Sequence, residues 1–245
     1  ALKAAKKAGR TTADGLLGVK VADDGSRGAL IEVNIETDFA AKNEMFIAFV
    51  DTVLERVFES GITDISELLS GDLGEEREAL VQEIGENINV RRAQCFIADS
   101  GVITSYLHSD KRKAALVELA KANDELGRDI AMHVTAIAPM VVESSDVAAD
   151  VLDKEREIYS SQAAESGKPP EIVEKMVEGR VRKFLQEISL VDQAFVKDGN
   201  TTVGKLLNAD NNSCLRFVRF EVGEGIEVEE TDFAAEVAAQ VSGEA

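Results

Sequence analysis

An α+β fold is predicted, made of two related hairpin-plus-helix subdomains with an inserted antiparallel coiled-coil hairpin and a C-terminal helix. Three observations carry it. Apolar and polar residues alternate over residues 15–21 and 29–36, and a helical period takes over after Asn43. The same order returns from Val102 onward. Between Val142 and Leu190 an apolar stripe instead repeats at three- and four-residue steps among charges, the pattern of helices packed along a seam.

Taken in order, Leu17, Val19 and Val21 share one face of the first strand, and Asp23, Asp24 and Gly25 supply turn chemistry. The second strand sets Ile31, Val33 and Ile35 against Glu32, Asn34 and Glu36, so one buried and one solvated face is expected. Phe46, Ile47, Phe49, Val50, Val53, Leu54, Val57 and Phe58 then mark a helix that Gly61 closes. A helix over 75–87 and a strand over 90–97 lie between the two copies. The second copy has strands at 102–107 and 114–119 about a polar turn, and a helix on Leu126, Ile130, Val134 and Ile137 that stops before Pro139. The charged segment has one helix through Val147, Val151, Ile158 and Tyr159. A turn at 166–170 leads to a return helix through Ile172, Val173, Met176, Val177, Val181, Phe184, Leu185 and Ile188. A strand over 215–222 shows that the hairpin is an insertion. The expected divisions are 1–11 as an N-terminal remnant and linker, 12–100 as a first subdomain, and 101–141 with 191–225 as a second. Residues 142–190 form the coiled coil and 226–245 a C-terminal module.

The formal net charge of −19 repels a phosphate backbone, which argues against nucleic-acid reading and favours protein partners. No apolar run is long enough to span a bilayer, and Cys95 and Cys214 form no C-x-x-C pair, so a reduced cytoplasmic setting is expected. The sequence has no phosphate-binding G-x-x-x-x-G-K-[ST] loop and no nucleophile elbow. His108 and His133 lie in different copies without metal spacing, and His133, beside an apolar stripe, is read as structural. No enzyme site, cofactor or metal is expected.

The segment Glu36-Thr37-Asp38-Phe39-Ala40-Ala41-Lys42-Asn43 joins the second strand to the first long helix. Two readings stand. Thr37, Asp38 or Asn43 caps the helix while Phe39 tucks beneath it as a staple, or the corner presents a large apolar side chain beside a carboxylate. The hexapeptide Glu-Thr-Asp-Phe-Ala-Ala recurs at 230–235, where it opens a short helix with Phe233, Val237 and Val241.

This corner, followed by Phe46, resembles the T-D-F-V-A-[KR]-[ND]…F signature of bacterial elongation factor Ts. Further segments agree: Ala4-Ala5-Lys6-Lys7-Ala8-Gly9, Ile84-Gly85-Glu86-Asn87-Ile88-Asn89-Val90-Arg91-Arg92, Ile130-Ala131-Met132-His133-Val134, Gly167-Lys168-Pro169, and Arg219-Phe220-Glu221-Val222-Gly223. The resemblance implies a nucleotide-exchange factor, not an enzyme, that binds elongation factor Tu in its GDP-bound and nucleotide-free forms and dislodges its Mg²⁺ during translation elongation. It places Thr37, Asp38, Phe39 and Ala40 against the partner, with Asn87, Val90, Arg92, His108 and Phe233 as secondary contacts. It also implies self-association or partner contact through the coiled coil. Ala40 stands where the family usually has Val. The family begins with a small helical domain, and this chain starts at what resembles that domain's end; with no initiator Met, removal of an upstream part is expected. The alternative is a scaffolding subunit of a larger assembly, acting through its coiled coil.

Overall fold

The computed structural model describes residue 7 and residues 9–227, and mixes helices with three small antiparallel sheets. Strands β1 (Asp14–Val21) and β2 (Arg27–Ile35) form a hairpin whose turn needs Gly25 at φ 68°. Helix α1 (Glu44–Ser60) follows. The Asn43 side chain accepts the Met45 N–H at its start, and Gly61 at φ 73° ends it. The short α2 (Ile65–Leu68) and then α3 (Asp72–Ile84) lead into β3 (Ile88–Ile97), which pairs with β2. The next hairpin is β4 (Val102–Leu107) and β5 (Lys113–Leu119), followed by α4 (Asp124–Ile137). Helices α5 (Ala149–Ala164) and α6 (Pro170–Ile188) form the long hairpin, with Gly167 at φ 65° in its turn. Strands β6 (Ala194–Phe195) and β7 (Asp198–Thr202), helix α7 (Val203–Ala209) and strand β8 (Cys214–Glu221) close the described chain.

The two main sheets share one topology. Their orders are β1-β2-β3 and β4-β5-β8, so each has the second strand of its hairpin in the middle. Helix α1 packs Phe46, Phe49, Val50 and Val53 onto Ile31, Val33 and Ile35, each buried side chain contributing about 1.5–3 kcal/mol. Helix α4 packs Ile130, Ala131 and Val134 onto Ala115 and Val117. The faces away from these helices meet each other through Leu17, Leu30 and Phe96 on one side and Ile103, Leu116 and Phe220 on the other.

That meeting corrects the expectation of a solvated face on the second strand. Glu32 and Asn34 are fully buried, because the second sheet covers the face they occupy. Burying a carboxylate demands partners, and Glu32 has them. Its Oε2 takes the Arg92 Nε–H at 2.5 Å, and its Oε1 takes Arg91 Nη1 at 3.1 Å, Asn34 Nδ2 at 3.0 Å and the Gly223 N–H at 2.9 Å. Burial alone would raise its pKa. The Gly223 N–H, Asn34 and the Arg92 charge together hold it below the usual carboxylate range.

The second sheet repeats the device. Glu118 on β5 pairs with Arg216 Nε at 2.6 Å, facing it in register as Glu32 faces Arg92. Both central strands shift register directly after the glutamate. Each arginine then lies on a ring from the other sheet: Arg92 on Phe220 at 4.1 Å and Arg216 on Phe96 at 4.2 Å.

The α5–α6 hairpin packs more loosely than its stripe suggests. Ala163 and Val181 are buried, while Ile158 and Ile172 of the predicted stripe are exposed. Its base is tied where Val141 bridges to Ser189 and the Met140 N–H donates to the Ile188 carbonyl at 2.8 Å.

Candidate functional site

The corner between β2 and α1 contains a 3₁₀ turn over Ala40–Lys42. Thr37 opens it: its hydroxyl oxygen accepts the Ala40 N–H at 3.2 Å and its carbonyl accepts the Ala41 N–H at 3.1 Å. Asn43 then caps α1. Ala41 is buried and anchors the turn on the core, with Ala40 half-buried beside it. Phe39 does not tuck under the helix. It is 81% exposed, the most exposed of the large apolar side chains described. Asp38 is also exposed and pairs with Lys42 at 3.0 Å, and the Lys42 ammonium lies 5.4 Å from the centre of the Phe39 ring. An exposed pair of this kind adds little stability. A bare aromatic ring, a carboxylate and an amine therefore stand together on one rigid turn, which favours a contact surface over a staple.

The other predicted positions separate into three groups. Asn87 is buried beneath the corner, donating its N–H to Glu36 Oε1 at 2.6 Å and its side-chain amide to the Arg10 carbonyl at 2.9 Å. Val90 is sealed in the core under α1, so its side chain has no outer surface. Arg92 is committed to Glu32, to the Glu221 carbonyl at 3.0 Å and to the Phe220 ring. His108 is exposed on the β4–β5 turn, with Nδ1 3.0 Å from Asp110. That turn docks on β1, where the Lys111 carbonyl accepts the Leu17 N–H at 2.8 Å and Arg112 pairs with Asp14 at 2.6 Å. Phe233 and the helix expected from Thr231 lie outside the described residues.

Sequence reading missed Glu86. Its carboxylate grips Thr37 across 49 positions of chain, and no local pattern announces a partner so distant. His133 is structural, as expected. Its Nδ1 accepts the Val196 N–H at 3.1 Å, so Nε2 carries the proton and donates to Gln193 Oε1 at 2.8 Å. Burial lowers its pKa and keeps it neutral. Burial also raises the Cys214 thiol to about 12, which leaves it unreactive. Among the described residues no cluster of His, Cys, Asp or Glu has metal-binding geometry, and no helix is long and apolar enough to cross a membrane.

A family model described as Elongation factor TS matches residues 36–224, from the first residue of the corner to the turn after β8. The chain belongs to the elongation factor Ts family. Elongation factor Ts of Saccharophagus degradans is 56% identical over 241 residues, covering 98% of this chain and 83% of the relative. The Hahella chejuensis protein of the same name is 54% identical over 242 residues, covering 99% and 84%. That of Methylococcus capsulatus is 51% identical over 245 residues, covering 98% and 83%.

Proposed function

We propose that the chain is a guanine-nucleotide exchange factor that binds elongation factor Tu, in both GDP-bound and nucleotide-free forms, and speeds GDP loss during translation elongation. Family membership supports this role and gives no support to the scaffolding alternative. The observation that carries it to particular residues is Phe39, exposed on a turn whose backbone is fixed at both ends.

The physics is differential binding. A wedge accelerates release only if it prefers the nucleotide-free, Mg²⁺-depleted partner over the GDP-bound one. Burying Phe39 in that state supplies about 1.5–3 kcal/mol, which is roughly tenfold to hundredfold in coupling. Dislodging the Mg²⁺ removes charge that holds the diphosphate, so no residue of this chain has to touch nucleotide. Thr37 shapes the turn, Asp38 and Phe39 enter the partner, and Ala40 backs them. The chain thus acts without catalytic chemistry of its own.

His108 offers an exposed secondary contact. Asn87 supports the corner from behind, while Arg92 is taken up between the two sheets and Val90 in the core. Phe233 is proposed for a C-terminal module, residues 226–245, that docks on the same partner. The division into subdomains 12–100 and 101–141 with 191–225 is supported by the shared sheet topology. The hairpin 142–190 is assigned to self-association or partner contact, and residues 1–11 to a linker. A cytoplasmic setting, with neither nucleic acid nor membrane as partner, fits the acidic surface.

The test is the release of fluorescent GDP from elongation factor Tu with increasing amounts of the chain. A saturable acceleration that Phe39→Ala abolishes is the expected result. No acceleration from a folded chain defeats the proposal.

A further inference from the structure

Between the corner and the end of α3 runs a crossed pair of clamps. Glu86 takes the Thr37 N–H on Oε2 at 3.0 Å and the Thr37 hydroxyl on Oε1 at 2.8 Å. In return Glu36 Oε1 takes the Asn87 N–H at 2.6 Å. The Thr37 hydroxyl, its proton given to Glu86, has its oxygen turned to accept the Ala40 N–H at 3.2 Å and so starts the 3₁₀ turn. Two consecutive residues on each side thus hold each other.

Glu86 is itself well anchored. Gly85, at φ 88°, ends α3 with its N–H on the Val81 carbonyl, and Ile88 enters β3 fully buried. The half-buried Glu86 lies in the short link between these two elements. Phe39, being exposed, has no packing of its own to fix its direction, so its placement comes through the backbone. The line of support runs from core to Glu86, to Thr37, to the turn, to the ring.

We propose that Glu86 is the positioning residue of the wedge, holding Thr37 by main chain and hydroxyl so that Asp38 and Phe39 are in place before the partner arrives. This rests on the exchange reading above. A preorganised wedge spends less of its binding free energy on ordering itself, so the loss of Glu86 slows the step in which the wedge enters. The first encounter, made by the rest of the surface, is unaffected. The maximal release rate therefore falls while the half-saturating concentration of factor hardly changes. A purely structural role would move the melting temperature and leave that division of effects absent.

The experiment titrates the full chain into elongation factor Tu loaded with fluorescent GDP, comparing Glu86→Ala, Thr37→Val, the pair of them, Glu86→Gln and Phe39→Ala. Glu86→Ala is expected to lower the maximal rate about tenfold and Thr37→Val about fivefold. The pair should be no slower than Glu86→Ala alone, because both changes cut the same support. Glu86→Gln, whose amide can still accept the Thr37 N–H, should recover most of the rate. The proposal is overturned if Glu86→Ala keeps the wild-type maximal rate while Phe39→Ala loses it, or if the two effects multiply in the pair. Should Glu86→Ala fail to fold, Thr37→Val decides alone, and a wild-type rate overturns the proposal. If Phe39→Ala is also without effect, the exchange reading falls instead.

Discussion

The molecule turns from a central strand into a helix twice, and the two corners differ in what they add. From β5 to α4 the chain uses four residues, Ala120 to Asn123. Asn123 caps the helix through the Leu126 N–H, and Asn212 grips both polar groups of the Lys121 backbone. From β2 to α1 it uses eight, Glu36 to Asn43. Asn43 caps the helix in the same way, but ahead of it stand a 3₁₀ turn, a clamp from Glu86 and the bare Phe39 ring. The short corner shows what the fold needs to make this turn. The long one adds a turn that puts Ala41 in the core and leaves the Phe39 ring outside it.

Phe39→Ala makes the first corner resemble the second, and it should have the largest consequence. Acceleration of GDP release should drop by roughly tenfold to hundredfold, while the unfolding free energy from urea titration changes by less than about 0.5 kcal/mol, as for other exposed positions. A large fall in stability would mean that the ring has a structural task after all.

The two buried carboxylates allow a sharper comparison. Glu32 answers to Arg91, Arg92, Asn34 and the Gly223 N–H, whereas Glu118 has Arg216. Glu32→Gln should cost about 3 kcal/mol in equilibrium unfolding, at the lower end for breaking a buried pair because both arginines keep some solvent. Glu118→Gln should cost about half of that. Equal losses would remove the distinction between the halves.

Acid should separate them too. The folded pKa of His133 is lowered by burial from 6.5, so the unfolded chain binds the extra proton first. Stability then begins to fall as pH drops through 6.5. Glu32, also lowered from its ordinary 4.5, protonates more readily in the unfolded chain, and adds a second fall below that pH. Urea midpoints measured across this range should lose the upper step in His133→Gln and the lower step in Glu32→Gln. The smallest effect tests what the corners share: Asn43→Ala and Asn123→Ala should each cost about 1 kcal/mol. Unequal values would mean that the added turn has taken over part of the capping.

Much of this architecture could be read from residue periodicity. The hairpins, the helices from Asn43 and Asn123 and the long helical hairpin are all long enough to show their period. Strands β6 and β7 and helix α7 are not: Ala194–Phe195 has two residues, and Val203–Ala209 completes barely two turns. The burial of Glu32 and Asn34 was hidden for another reason. Alternation tells which residues share a face, but not whether a second sheet covers it. At the corner, one sequence allowed both a tucked and a bare Phe39. Ala41 decided between them by taking the core position, which only the assembled fold reveals.

The crossed Arg–Phe stacking has a consequence for chain continuity. Each half keeps its own carboxylate and arginine but borrows the ring beneath that arginine from the other. Two identical protomers facing across a twofold axis would be joined in the same manner. The link from Ala98 to Gly101 therefore acts as a tether between two mutually templating pieces. A protein nicked there should still elute as one particle, held by the two exchanged rings together with the apolar contacts of Leu17 and Leu30 against Ile103 and Leu116.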